Sequence, residues 1–505
     1  MSGSELVAAV REALGQDSEA FQTRAIEEAE RLKTEVRDGT FDNTQALVGL
    51  EVELYAVDDR TNALRRVPRR LLGLIGFEKE LGLHNAEMQT SPQPLSSYGL
   101  IAQENELKAH LAPALEKTAA EQIRLVADGI WTIPPTGETA LGYLTDAVEH
   151  NGITVATNLS DAIRYHTMAN SDYPAGCRLE APNVSVGSET LMLESLITSI
   201  QPHYQVAHAP DLPEYFRYAI RVAAPLLALG VNSPFFPPEL YDDASPEEIV
   251  ANAHMENRVR VFESVMNPPE SSDEPPKVAF PPDFETVEAA IDDIATDPTI
   301  VPSGVTESDR FDDSLAHFRH KHGSYWRWVR PVFEAPSRSA ANARIEFRPL
   351  PTQPTVLDCV AFAAVFAGLM ESLPRREHPV RRLSWERAEA NFYRAVRDGL
   401  GAQLDWITAD GTETADIEEI CGECLEYARD GLELRGLSTA DAERYIRPLR
   451  ERLDRRMTPA RWKHEFVEQQ VAAGTPLTEA VWSMQAAYID AQRETLIEGS
   501  FVDWL

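Results

Sequence analysis

Four short segments alternate polar and apolar residues with a period of two, which reads as half-buried β-strand, and each sets reactive side chains on one face. In Leu47-Val-Gly-Leu-Glu-Val-Glu-Leu-Tyr55 the alternation places Glu51 and Glu53 together, backed by Val48, Leu50, Val52 and Leu54. Asn85-Ala-Glu-Met-Gln89 aligns Asn85, Glu87 and Gln89. Ser199-Ile-Gln-Pro-His-Tyr-Gln205 aligns Ser199, Gln201, His203 and Gln205, with Pro202 forcing an edge or irregular position because it cannot donate to a ladder. Ala343-Arg-Ile-Glu-Phe-Arg348 sets Arg344, Glu346 and Arg348 against Ile345 and Phe347. Any one of these is an ordinary strand with a wet face. Together they carry four glutamates, a histidine and two arginines.

Two carboxylates two residues apart repel each other unless a cation lies between them. Carboxylate oxygens with one imidazole are ligands for Mg²⁺ or Mn²⁺, whereas a structural zinc site favours thiolates. Arginines beside a carboxylate suit a polyphosphate, whose oxygens match guanidinium forks. No Gly-x-x-x-x-Gly-Lys-[Ser/Thr] loop is present, so a nucleotide here is not held in P-loop fashion. The residues lead to a divalent-metal nucleotide site on a sheet face.

Charge narrows the partners. The 505 residues carry 81 acidic and 47 basic side chains, a formal net charge of −34. That balance excludes nucleic acid and anionic membrane, which need clustered cations. With 43% hydrophobic residues the chain has enough apolar side chains for a large core, so its acidity does not signal disorder. Only seven of the basic residues are lysines; few lysines and many carboxylates suit a cytoplasm with molar salt, and a halophilic source is expected. The longest apolar runs, Val222–Val231 and Val360–Met370, fall short of the roughly 18 residues that span a bilayer. The first sixteen residues lack the pattern of a secretory signal, so a cytoplasmic location is expected. Four cysteines form no disulfide framework, and Cys421-Gly-Glu-Cys424 reads as two positions on one helix face rather than a redox pair.

The chain reads as one α+β unit, 1–505, without a linker dividing strands from helices. A helix through Ala25, Ala29, Leu32 and Val36 stops at Gly39; period two runs from about 45 to 95; helices follow at 100–128 and 188–197. The strand-bearing core spans about 45–373. Residues 267–313, rich in Pro, Asp, Ser and Glu, read as a mobile acidic insertion rather than packed core. Thr355 and Asp358 open an apolar helix that Pro374 ends, and about 381–505 reads as helical, with Thr475-Pro476 starting a late helix.

In this order, Gly49-Leu-Glu-Val-Glu53, Glu87, Ser199-Ile-Gln-Pro-His203, Asn232-Ser-Pro-Phe235, Trp328-Val-Arg-Pro331 and Arg344-Ile-Glu-Phe-Arg-Pro349 resemble the second, carboxylate-amine ligase branch of the glutamate-cysteine ligase family. Glu386-Arg-Ala-Glu-Ala-Asn391 through Arg397-Asp-Gly-Leu400 extends the likeness to about residue 405. The resemblance implies a glutamine-synthetase-like fold, a curved antiparallel half-barrel whose concave face holds metals and ATP. By position it implies metal ligation by Glu51, Glu53, Glu87, His203 and Glu346, phosphate contacts from Arg344 and Arg348, and nucleotide or substrate contacts from Gln201, Asn232 and Arg330. Glu53 and Arg348 are the expected catalytic pair. For Asn232-Ser-Pro-Phe235 a turn closing an apolar helix is the competing reading.

The implied reaction joins glutamate to an amine, most simply cysteine, through an acyl phosphate formed with ATP and Mg²⁺ or Mn²⁺. Self-association into a homo-oligomer is compatible with this reading. Stretches 170–198 and 267–313 look inserted and the chain past 405 has no placed counterpart, which leaves the acceptor amine open because amine pockets are built from loops. The alternatives are a guanidino phosphotransferase, which the Gly-x-Glu-x-Glu and Arg-x-Glu-x-Arg strands argue against, and a nucleotide-binding regulator without turnover, against which the full set of metal-type residues argues.

Overall fold

A computed structural model describes residues 3–173, 176–269, 271–302 and 309–505. Among these, the period-two segments pair into one eight-stranded antiparallel sheet, curled as a half-barrel. Its strands are β1 (Leu47–Asp58), β2 (Glu78–Lys79), β3 (Asn85–Gln89), β4 (Gln93–Pro94), β5 (Ile123–Val126), β6 (Ile200–Val206), β7 (Val329–Glu334) and β8 (Asn342–Phe347). Spatial order is β7-β8-β6-β1-β3-β2, with β4 and β5 pairing the two ends of β1. Strand β1 is long because its apolar alternation continues through Leu54, Ala56 and Val57, all buried.

The back of the sheet is the core. Val48, Leu50, Val52, Met88, Ile200, Ile345 and Phe347 are buried there. The helix Val356–Ser372 packs across β6 and β1. It is apolar all round, as a helix enclosed by protein must be. Phe347 stacks on Phe366 with ring centroids 4.5 Å apart. Thr355 caps it as expected, accepting from the Asp358 N–H at 3.1 Å and donating to that carboxylate at 2.7 Å.

Three sequence expectations change in detail. The helix Arg69–Ile75 interrupts the period-two region, the helix Ser97–Ala119 gives way to β5, and 188–197 narrows to the 3-10 turn Leu191–Leu196. More substantial is the acidic stretch 267–313. Val287–Thr296 forms a helix whose Ala290, Ile291 and Ile294 are buried against the helix Ser18–Arg37, so part of this stretch is packed core. Its apolar stripe at i, i+3, i+4 and i+7 is short and masked by flanking Pro and Asp. Residues 303–308 lie outside the described residues.

Past 381 the described residues form the helices Trp385–Asp398, Ile417–Leu434, Thr439–Asp454, Pro459–Ala472 and Leu477–Thr495, with a short strand pair, Trp406–Ile407 and Glu413–Thr414, between the first two. Cys421 and Cys424 are free and buried on one of these helices, and burial pushes both thiols up, which suits core residues and not a redox pair. No helix among the described residues is long and apolar enough to cross a membrane.

Candidate active site

Strand register decides which side chains meet. Directly paired residues in an antiparallel ladder point to the same face. Glu51 pairs with Gln201 on one side and Gln89 on the other, Glu53 pairs with Glu87, His203 with Glu346, and Glu346 with Arg330. The polar faces read from sequence therefore converge on one surface of the half-barrel.

Glu346 is the ionic centre of one half of that surface. Its Oε1 accepts from Arg330 Nε at 2.9 Å and Arg348 Nη1 at 2.5 Å. Burial opposes its charge, yet Arg330, Arg348 and His203 hold the carboxyl well below the usual carboxylate range. Arg348 Nη1 also donates to Gln201 Oε1, and Gln201 Nε2 donates to Glu53 Oε1 at 3.0 Å. Glu53 further accepts from the Ser199 N–H at 2.6 Å and the Ser199 hydroxyl at 3.0 Å. His203 Nε2 lies 3.3 Å from Glu51 Oε1 but without hydrogen-bonding geometry, and Arg344 Nε donates to His203 Nδ1 at 3.3 Å.

The other half is rich in unneutralised acid. Burial pushes Glu53 up despite its donors, and burial with the nearby Glu51 and Glu53 charges pushes Glu87 up to about 8. Two glutamates that the alternation did not single out join them. Burial and then the Glu53, Glu194 and Glu87 charges raise Glu80 well above the usual range, while burial and then Glu53 push Glu194 up to about 8. Glu80 and Glu194 line a narrow cavity with Glu53, Thr198, Ser199, Arg258 and Arg348, walled by Tyr165, Phe262, Trp326 and Trp328. Arg258 is buried, its Nε making no hydrogen bond but ion-paired with Glu256 Oε1 at 3.4 Å, and the Arg348 Nε has no hydrogen-bond partner.

Two expected contacts are committed elsewhere. Asn232 does not line this cavity: its amide donates to Thr352 O at 2.8 Å and Tyr488 Oη at 3.1 Å, as a turn closing the helix Leu212–Gly230 requires. Arg330 spends its guanidinium on Glu346 and on the carbonyls of His322 and Tyr325, both at 3.1 Å, and so anchors Glu346. Arg344 sits at the outer edge, paired with Glu334 at 2.8 Å.

The donor chemistry fits a hard divalent cation: clustered carboxylates raise one another's affinity for protons, and an oxygen-binding cation would relieve the same repulsion. As the side chains stand, no three His, Cys, Asp or Glu among the described residues converge closely enough to hold one ion.

The profile of glutamate-cysteine ligase family 2 (GCS2) matches residues 47–481. Among solved structures the chain is similar to the glutamate–cysteine ligase of Francisella tularensis in complex with AMP, at 14% identity and a TM-score of 0.52, over 90% of this chain and 91% of that one. A bifunctional glutathione synthetase from Pasteurella multocida aligns at 13% identity and a TM-score of 0.47, over 92% of this chain and 55% of that one. At these identities the first likeness is one of fold. No curated protein sequence matches the chain.

Proposed function

The chain belongs to glutamate-cysteine ligase family 2, an ATP-dependent ligase family, and from that premise we propose that it joins the γ-carboxylate of glutamate to an amine, with cysteine as the acceptor and γ-glutamylcysteine as the product. The observation that carries this reading is the division of one sheet face into an acid-rich half and an arginine-bearing half. A reaction that brings a carboxylate against a triphosphate needs both.

In the proposed sequence, a glutamate γ-carboxylate oxygen attacks the γ-phosphorus of ATP. An O–P bond forms, the bond to ADP breaks, and an acyl phosphate results. The amine then attacks the acyl carbon, a C–N bond forms, inorganic phosphate leaves and the amine releases a proton. Arg348, whose Nε is free, faces the transferring phosphoryl group and stabilises its charge. Arg344, which pairs with Glu334 and donates to His203, would serve the outer phosphates. Arg258, paired with Glu256 through its Nε, lines the same cavity and brings a second buried positive charge towards an anionic group of the substrate. The aromatic wall of Tyr165, Phe262, Trp326 and Trp328 excludes water from the acyl phosphate.

Mg²⁺ or Mn²⁺ would be held by Glu51, Glu53, Glu87, His203 and Glu346, with Glu80 and Glu194 close by, and would screen the repulsion between carboxylate and triphosphate. The protein's own task is to keep these carboxylates aligned, through Ser199 and Gln201 on Glu53 and through Arg330 on Glu346. The acidic exterior fits a salt-rich cytoplasm, so the assay belongs in concentrated KCl. Purified protein with Mg-ATP is followed for ADP release with glutamate and a panel of amines. Release with glutamate and cysteine together supports the proposal, release with another amine reassigns the acceptor, and release with a guanidino compound alone refutes it.

A further inference from the structure

The part of the chain that the sequence could not place reaches the frame of the site through one buried lysine. Lys463, on the helix Pro459–Ala472, is 1% exposed. Its ammonium pairs with the buried Asp128 carboxylate, donates to Asn232 O at 2.8 Å and lies 4.3 Å from the centre of the Tyr488 ring. Gln485, on the helix Leu477–Thr495, donates to the other Asp128 oxygen at 2.7 Å. Asp128 follows β5 directly, in a segment that grips the start of β6. Thr198 Oγ1 donates to Asp128 O, and the Thr198 N–H donates to Gly129 O at 3.2 Å. The next residue is Ser199, whose N–H and hydroxyl fix the Glu53 carboxylate.

A second branch runs from the same ammonium. Asn232, whose carbonyl accepts from Lys463, donates its N–H to Glu256 Oε2 at 3.0 Å. Glu256 Oε1 stands 3.4 Å from Arg258 Nε, and Arg258 lines the cavity. Both branches are buried and contiguous, and both end on groups that face the substrate cavity.

We propose that Lys463 is a positioning residue: by neutralising Asp128 it clamps the 127–129 segment onto Thr198 and so sets the Ser199 donors that aim Glu53. The C-terminal helices are then part of the catalytic frame. The turnover arm of the test rests on the ligase reading above, and the exchange arm does not.

Removing the ammonium alone strands a buried carboxylate, so the informative variant is the neutral pair Asp128→Asn/Lys463→Met in the full chain. Gln485→Ala is the milder probe, since it deletes one donor to the same carboxylate and keeps the ion pair. The expected result for the double variant is a folded protein with kcat lowered tenfold or more and KM for ATP within twofold of wild type. Amide exchange at residues 196–200 accelerates while that of the helix Ile417–Leu434 stays unchanged. Gln485→Ala shifts the same exchange in the same direction by less, and Lys463→Arg restores kcat relative to the double variant. If the double variant does not fold, exchange in Gln485→Ala decides. Unchanged exchange at 196–200 in every variant that folds overturns the proposal. Should the wild type release no ADP with any amine, the ligase reading fails while the exchange measurement still tests the clamp.

Discussion

Glu53 and Glu346 stand on the same face in opposite surroundings. Glu346 is locked between Arg330 and Arg348, so Glu346→Gln removes the nearest counter-charge of two largely buried guanidiniums and should cost about 3 kcal/mol of stability together with turnover. Burial raises Glu53 in spite of its Ser199 donors and the nearby Arg348 and Arg258 charges, so Glu53→Gln should leave thermal stability equal or higher while ADP release disappears. Parallel melting and turnover measurements on the two variants check this asymmetry. His84 supplies a pH prediction. It is buried, contacts Tyr143 Oη at 2.9 Å and Ser195 O at 3.0 Å, and burial lowers it from 6.5 to about 4. Above pH 6.5 the imidazole is neutral folded or unfolded and its contribution is intact. As pH falls from 6.5 towards 4 only the unfolded chain takes up the proton, so stability declines, by about 3 kcal/mol in all. Urea unfolding across that window should show the loss, and His84→Gln should flatten it. What could be read from the sequence at this scale follows from periodicity. Glu51, Glu53, Glu87, His203, Glu346 and Arg348 were legible because strand alternation fixes a side chain's face. Glu80, Glu194 and Arg258 were not, because a loop, a 3-10 turn and a helix start deliver them to the cavity, where spacing carries no facing information.

At the scale of elements, the helices Val356–Ser372 and Ile417–Leu434 cross in backbone contact. A Cβ added to Gly368 would overlap the Ala428 carbonyl, and one added to Gly431 would overlap the Gly368 carbonyl. No rotamer can relieve a clash with backbone, so Gly431→Ala should cost about 2 kcal/mol or more by overpacking, read as a lower urea midpoint at unchanged slope. This crossing braces the helix that supports β1 and β6 from behind, and the loss should appear without any change at the polar face. The strands were readable from their period, and the helix Val356–Ser372 from its apolar run between a cap and a stop. The helix Val287–Thr296 escaped because the composition of its flanks outweighs its single apolar stripe. The packing of the C-terminal helices onto the sheet was also hidden, since contacts such as Lys463 with Asp128 join distant positions and leave no local pattern.

For the molecule as a whole, the two signs of charge are distributed differently. Four of the seven lysines, Lys33, Lys277, Lys321 and Lys463, are buried. Lys33, Lys277 and Lys463 are in ion pairs. Arginine therefore supplies almost all the exposed positive charge, against a surplus of carboxylates that repel one another over a range set by salt. The melting temperature should rise with KCl into the molar range, and an unchanged value between low and molar KCl would remove the case for a salt-adapted exterior. The clamp at Asp128 also has a consequence for biosynthesis. The strand bearing Glu51 and Glu53 is made before Lys463 and Gln485, the lysine and glutamine that steady its surroundings, with most of the sheet and several helices synthesised in between. The nascent chain must carry an acid-rich, unfinished cleft until the helices Pro459–Ala472 and Leu477–Thr495 dock, so maturation of the site is tied to translation reaching those helices rather than to collapse of the sheet.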